Sequence, residues 1–226
     1  MWQTVLGIIA AAALSALLGM QYLRATARYR RAPHAFFAEA RDLIDGPQIS
    51  PGKTAGSYLM KGTYRGHHVH VQAVTDTLGL RKLPSLWLLV TIPESLPVAA
   101  TFDLMMRPAG PTTFSNFDRL PETLALPAGF PEEAAIRTDN PHRPIPPHLL
   151  APVMPIFRDR RGKELLISPK GVRVVVQVAE ATRARYGVLR QADFGDARLD
   201  ADILRVILDR MISLRAGILE WRRMAP

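Results

Sequence analysis

The chain has no cysteine, which removes disulfides, thiolate metal sites and cysteine nucleophiles together. It also lacks the short motifs of several common chemistries. No Gly-x-Ser-x-Gly elbow presents a nucleophilic serine, and no His-Glu-x-x-His segment sets two histidines on one helical face. No acidic residue is found among the first 31 positions, and lysine is scarce against arginine. Internal repeats are absent. The stretch from Gly46 to Gly52-Lys53-Thr54 resembles a phosphate loop at a glance. It has five residues between its glycines where such a loop needs four, and it follows a helical pattern instead of a strand. No cofactor is expected.

The most conspicuous feature present is apolar. Trp2 to Leu23 carries no charged side chain, and Arg24, Arg28, Arg30 and Arg31 follow at once. As a helix, at about 1.5 Å per residue, the run reaches roughly 33 Å, comparable to a bilayer core of about 30 Å. This predicts an N-terminal transmembrane helix, with residues 1–31 forming the anchor and its juxtamembrane arginines. A cleaved signal peptide fits less well, because no basic n-region precedes the run and an h-region is normally about 7–15 residues. The arginines predict an outside N-terminus and a cytoplasmic remainder. The expectation is a single-pass protein of a bacterial inner membrane. Trp2 on one side, and Tyr22, Arg24, Arg28, Tyr29, Arg30 and Arg31 on the other, are the predicted membrane-interface residues.

Formal net charge is +9, from 29 basic and 20 acidic residues. Four of the basic residues lie in the first 31 positions, which leaves 25 basic against 20 acidic beyond them. So small and scattered an excess does not point to nucleic acid. The roughly 195 residues beyond the apolar run suffice for one domain with a core.

Pro33 suits the first turn of a helix in which Phe36, Phe37, Ala40, Leu43 and Ile44 recur at helical spacing. Gly46-Pro47 ends it and opens a loop to about Gly56. Residues 32–56 thus read as a short helix and linker, and 57–226 as a cytoplasmic α+β domain. Tyr58 to Tyr64 and His68 to Val74 flank Arg65-Gly66-His67 as a hairpin, and Leu165 to Ser168 and Val172 to Val178 flank Pro169-Lys170-Gly171 as another. Leu86 to Ile92, Thr101 to Met106, Ala134 to Thr138 and Tyr186 to Ala192 are further candidate strands. Proline-rich connections run from Arg107 to Pro131 and from Asn140 to Pro152, and a short helix is expected within His148 to Arg158. From Asp200 to Arg222, Leu204, Ile207, Met211, Leu214, Ile218 and Trp221 repeat at alternating spacings of three and four. Ile203, Leu208 and Ile212 widen that seam into a face suited to packing on a sheet. The predicted architecture is an antiparallel sheet of about six to eight strands covered by this long C-terminal helix.

Candidate sites are few. In a strand, His68 and His70 share a face while His67 points opposite, so the first two could reach one metal ion. A third ligand would come from His142, His148, Asp103 or Asp139. Acid–base chemistry would draw on Asp103, Asp118, Glu122 or Asp139, with no pairing legible between them. Ser115-Asn116-Phe117-Asp118 has the composition of a turn. Arg158, Arg160, Arg161 and Lys163 form the densest basic patch, suited to an acidic partner or anionic headgroups. The motif failures favour a membrane-anchored, non-enzymatic interaction domain, an accessory or scaffold subunit of a membrane assembly with a protein partner at the membrane. The alternatives are a membrane-surface domain for lipid or small ligands, and a metal-dependent enzyme built on His68 and His70.

Overall fold

The computed structural model describes residue 2, residues 14–21, residue 23, and residues 32–54, 56–76, 83–183, 192 and 194–224. Among the described residues nine strands form one sheet: β1 (Asp45–Pro51), β2 (Tyr58–Tyr64), β3 (His67–Asp76), β4 (Ser85–Ile92), β5 (Phe102–Met106), β6 (Glu122–Leu124), β7 (Ala134–Thr138), β8 (Gly162–Ser168) and β9 (Gly171–Glu180). Their spatial order is β1-β2-β3-β4-β9-β8-β5-β7-β6, and every neighbouring pair is antiparallel. A five-residue helix α1 (Met154–Arg158) precedes β8, and α2 (Ala201–Met224) closes the described chain.

Alternation along the strands assigns the two faces. Val69, Val71 and Ala73 of β3, Leu88 and Val90 of β4, and Val174 and Val176 of β9 point into the main core. There α2 lays down Leu204, Ile207, Leu208, Met211, Leu214 and Ile218, all buried. Asp200 caps the helix, its Oδ1 accepting from the amides of Asp202 (2.7 Å) and Ile203 (3.1 Å). Polar links fasten the same helix at its margins. Tyr64 Oη donates to Asp209 (2.9 Å), Arg65 pairs with Asp209 (2.9 Å), and Arg215 reaches Glu94 at 2.8 Å. Phe36 and Phe37, stacked edge-on at 4.9 Å, enter the same core from the chain preceding β1.

Two turns show why the strands pair as they do. Tyr64 and His67 are direct partners, so the β2–β3 turn is the two-residue Arg65-Gly66, both with positive φ (49° and 82°) as a type I′ hairpin turn requires. At the β8–β9 turn, Gly171 has φ 135°, and a Cβ there would lie 2.1 Å from the carbonyl oxygen of Ile92. Only glycine lets β4 approach so closely.

Several expectations are corrected. The sheet has nine strands, more than the six to eight expected, because two edge strands escaped the pattern. β1 lies in the segment 32–56 read as helix and linker. Its Gly46 has φ 60° and Pro47 adjoins a register shift, features tolerated because β1 is an outer strand with one free edge. β6 is only three residues long and forms the other edge. The expected helix after Pro33 is shorter than its apolar spacing suggested, with helical residues 32–36 followed by turns and a 3-10 segment at Arg41–Leu43. The expected helix between His148 and Arg158 is split into a 3-10 turn, Pro147–Leu150, and α1. The candidate strand Tyr186 to Ala192 lies outside the described residues, apart from Ala192.

The largest correction concerns the N-terminus. Among the described residues no helix is long and apolar enough to cross a membrane. The long helix α2 is amphipathic and spends its apolar stripe on the sheet. The predicted transmembrane anchor, and with it the single-pass inner-membrane placement and cytoplasmic topology, is therefore withdrawn. Trp2 is exposed, and Tyr22, Arg24, Arg28, Tyr29, Arg30 and Arg31 lie outside the described residues.

Candidate functional site

The sheet face turned away from the main core carries the polar chemistry. Register sets His70, Thr91, Arg173, Leu166, Asp103 and Arg137 in one row across β3, β4, β9, β8, β5 and β7, each the direct partner of the next. The adjoining row reads Gln72, Leu89, Val175, Glu164 and Met105. Glu164 therefore lies diagonal to both Asp103 and Arg173 on one surface of the sheet.

Asp103 is 2 % exposed and Glu164 1 %. Their carboxyl groups are in hydrogen-bonding contact, and Asp103 Oδ1 and Glu164 Oε2 are buried with no donor to meet them. Two adjacent buried charges are untenable, so the pair holds a proton. Burial, then the charge and hydrogen bond of Glu164, push Asp103 up to about 9 against partial relief from Arg173. Burial raises Glu164 too, opposed by a hydrogen bond from Ser115, the charge of Arg173, the bond to Asp103 and the charge of Lys163. The pair thus holds at least one proton at neutral pH, favoured on Asp103 by burial and by Glu164.

The surroundings are built to hold that pair. The Ser115 hydroxyl donates to Glu164 Oε1 and accepts from the amide of Phe117 (3.0 Å), so the expected turn is present and also closes over the carboxylates. The Lys163 ammonium donates to the carbonyls of Met106 (2.7 Å) and Arg107 (2.9 Å). Ser115 borders a void of about 10 Å³, barely one water in size. A serine and a carboxylate base are side by side here, but no substrate has room to meet them.

The open space lies on the other side of Arg173. A cavity of about 540 Å³ is bounded by Lys53, Gln72, Val74, Leu89, Phe114 and Arg173, with Thr113 at its margin. Its apolar floor continues into a small cluster of Val74, Leu89 and Val175, on which Trp87 and Phe114 pack with ring centroids 5.4 Å apart. Arg173 Nε donates to Thr91 (3.3 Å), and its terminal nitrogens have no hydrogen-bond partner among the described residues. One guanidinium thus faces a shared-proton carboxyl pair and a ligand-sized cavity at once.

The remaining candidates do not assemble. His68 and His70 do share a face of β3, but among the described residues no three His, Asp or Glu side chains are gathered as a metal would need. Burial, then Lys61 and His68, lower His70 from its ordinary value. His67, on the opposite face, donates to Glu94 (3.0 Å), whose Oε1 also accepts the His68 amide (3.2 Å). Asp139 is occupied by the amide and hydroxyl of Thr101, each at 2.7 Å. His142, His148, Asp118 and Glu122 stay in separate loops and at the sheet edge. Arg158, Arg160 and Arg161 are exposed around the end of α1, whereas Lys163 is buried and leaves that patch.

Sequence reasoning had Asp103 without its partner and missed Glu164 and Arg173. A signal was available: Asp103 is the one charged residue in the apolar run Phe102 to Met106, and a lone acid inside a buried strand needs a partner. Comparison with known families, curated proteins and solved structures finds no match to this chain.

Proposed function

We propose that this is a non-catalytic binding domain whose ligand site is the back-face cavity. The observation that carries the reading is the cavity itself, about 540 Å³, within the size range of small-molecule sites and combining an apolar floor with a few convergent polar groups. The carboxyl pair beside it is sealed, which argues against the acid–base chemistry that such a pair otherwise suggests. The test uses N-phenyl-1-naphthylamine, a neutral apolar fluorophore. Saturable binding at one site per chain, lost in Thr113→Trp because the indole fills the rim, is the expected result. No saturable binding of any aromatic probe would overturn the reading.

A protein partner is the second reading, and one feature favours it. At the start of α2, Ile203 and Val206 are 41 % and 50 % exposed beside an apolar cleft of about 520 Å³ that reaches Leu88, Ile156 and Val176. Cross-linking from a photoreactive residue placed at Val206 should then trap one partner in stoichiometric yield. Uniform weak labelling would remove it.

A further inference from the structure

The anionic ligand class of the cavity, and a proton that travels with it, follow from the double-sided position of Arg173; this rests on the cavity reading above. Four facts converge. The cavity places two cations, Lys53 and Arg173, over a floor of Val74, Leu89 and Phe114. Among the described residues that line the cavity itself there is no acidic side chain. Arg173 provides a counter-charge to both Asp103 and Glu164. Those two carboxyls are sealed from water and already compete for one proton.

We propose that the cavity takes an aromatic or otherwise apolar anion whose charge seats on Arg173, and that seating it draws a proton onto the Asp103–Glu164 pair. The physical reason is competition for one cation. A guanidinium facing a ligand anion gives less field to the carboxylates behind it, and a buried carboxylate that loses its counter-charge holds protons more strongly. By linkage, the same ligand then binds more tightly where that proton is available.

The other charged groups around the pair do not supply the effect. Lys163, on β8, is committed to the carbonyls of Met106 and Arg107. Arg137, opposite Asp103 on β7, donates to the carbonyls of Asp118 and Leu120 and lies over the Phe117 ring. Asp118 is exposed in the loop beyond Ser115, and Ser115 itself does not titrate in the working range. Lys61, His68 and His70 lie farther along the sheet, on β2 and β3, and burial lowers His70 from its ordinary value.

The test pairs two fluorophores that differ by one sulfonate, 8-anilinonaphthalene-1-sulfonate and the neutral N-phenyl-1-naphthylamine, in the full-length protein between pH 7.5 and 9.5. The sulfonate is expected to tighten binding at least about tenfold, and Arg173→Gln to reduce the anion to the affinity of the neutral probe. The anion's affinity should fall as pH rises, by at most about tenfold per unit for one linked proton, with the neutral probe unaffected. Calorimetry of the unmodified protein in two buffers of different ionisation enthalpy should show proton uptake with the anion, and the double variant Asp103→Asn, Glu164→Gln should abolish it. Equal affinity for the two probes overturns the anion assignment and leaves the cavity reading standing. Tight anion binding without proton uptake overturns the coupling. Failure of both probes to saturate overturns cavity and inference together.

Discussion

Asp103 and Glu164 show how far a single residue's behaviour depends on what faces it. Asp103 is raised by burial first and by Glu164 second, so the folded chain holds a proton that the unfolded chain releases near pH 3.8. For such a group the stabilisation is complete below the unfolded value and is lost as pH rises through the folded one. Thermal unfolding of the unmodified protein should therefore show stability declining from about pH 4 to about pH 9. Asp103→Asn, which keeps a neutral donor in place of the acid, should flatten that decline and match or exceed the parent at pH 8. A steeper decline in the variant would contradict the shared proton. Lys163 makes the complementary case. Its buried ammonium satisfies two carbonyls, and Lys163→Ala should cost about 3 kcal/mol in chemical denaturation by leaving both without a donor. Loss of less than about 1 kcal/mol would mean that water replaces it.

At the scale of elements, the tight approach of β4 to the β8–β9 turn is the most sensitive point. Gly171→Ala forces a Cβ against the Ile92 carbonyl in a conformation that only glycine takes easily, and should cost about 3 kcal/mol or more. Gly66→Ala, with nothing within 4 Å of its Cβ, bears only the backbone strain of a positive φ and should cost about 1 kcal/mol. Helix α2 depends on a different device, the Glu94 carboxylate gathered by His67, the His68 amide and Arg215. Burial works to raise Glu94, but the His67 hydrogen bond and the Arg215 charge outweigh it and hold it below its usual range. A lowered acid stabilises above its unfolded value, about 4.5, and that contribution is lost as pH falls through the folded one. Glu94→Gln should accordingly weaken the acid limb of the pH–stability curve while leaving the alkaline limb to Asp103. A variant whose acid limb is unchanged would show that the cluster is not what ties β3 to the helix.

For the whole molecule, one long sheet needs cover on both faces. On the main face α2 buries six large apolar side chains, which at about 2 kcal/mol each roughly equals the net stability of an ordinary domain. A chain ending before Ala201 should therefore lose cooperative unfolding and bind apolar dyes throughout. A sharp thermal transition in that truncation would show that the sheet finds other cover. The helix that does this was legible in the sequence because a three-and-four spacing is a local signal, sustained over several turns by its own residues. The same holds for the β2–β3 and β8–β9 hairpins, whose alternation and turn residues lie within a few positions of one another. Edge strands β1 and β6 were not legible, since an outer strand tolerates Gly46, Pro47 and a three-residue length that would disqualify an inner one. Nor does the apolar run at the N-terminus decide its own surroundings, for its composition measures hydrophobicity and not what the segment meets. What sequence alone determined is which segments are periodic, and hence which faces are apolar. That Asp103 on β5, Glu164 on β8 and Arg173 on β9 share one side of one sheet was decided by strand order, because β9 inserts between β4 and β8 while β5 joins the outer edge of β8. Long-range pairing of that kind is set by how the whole core packs, and no local pattern encodes it.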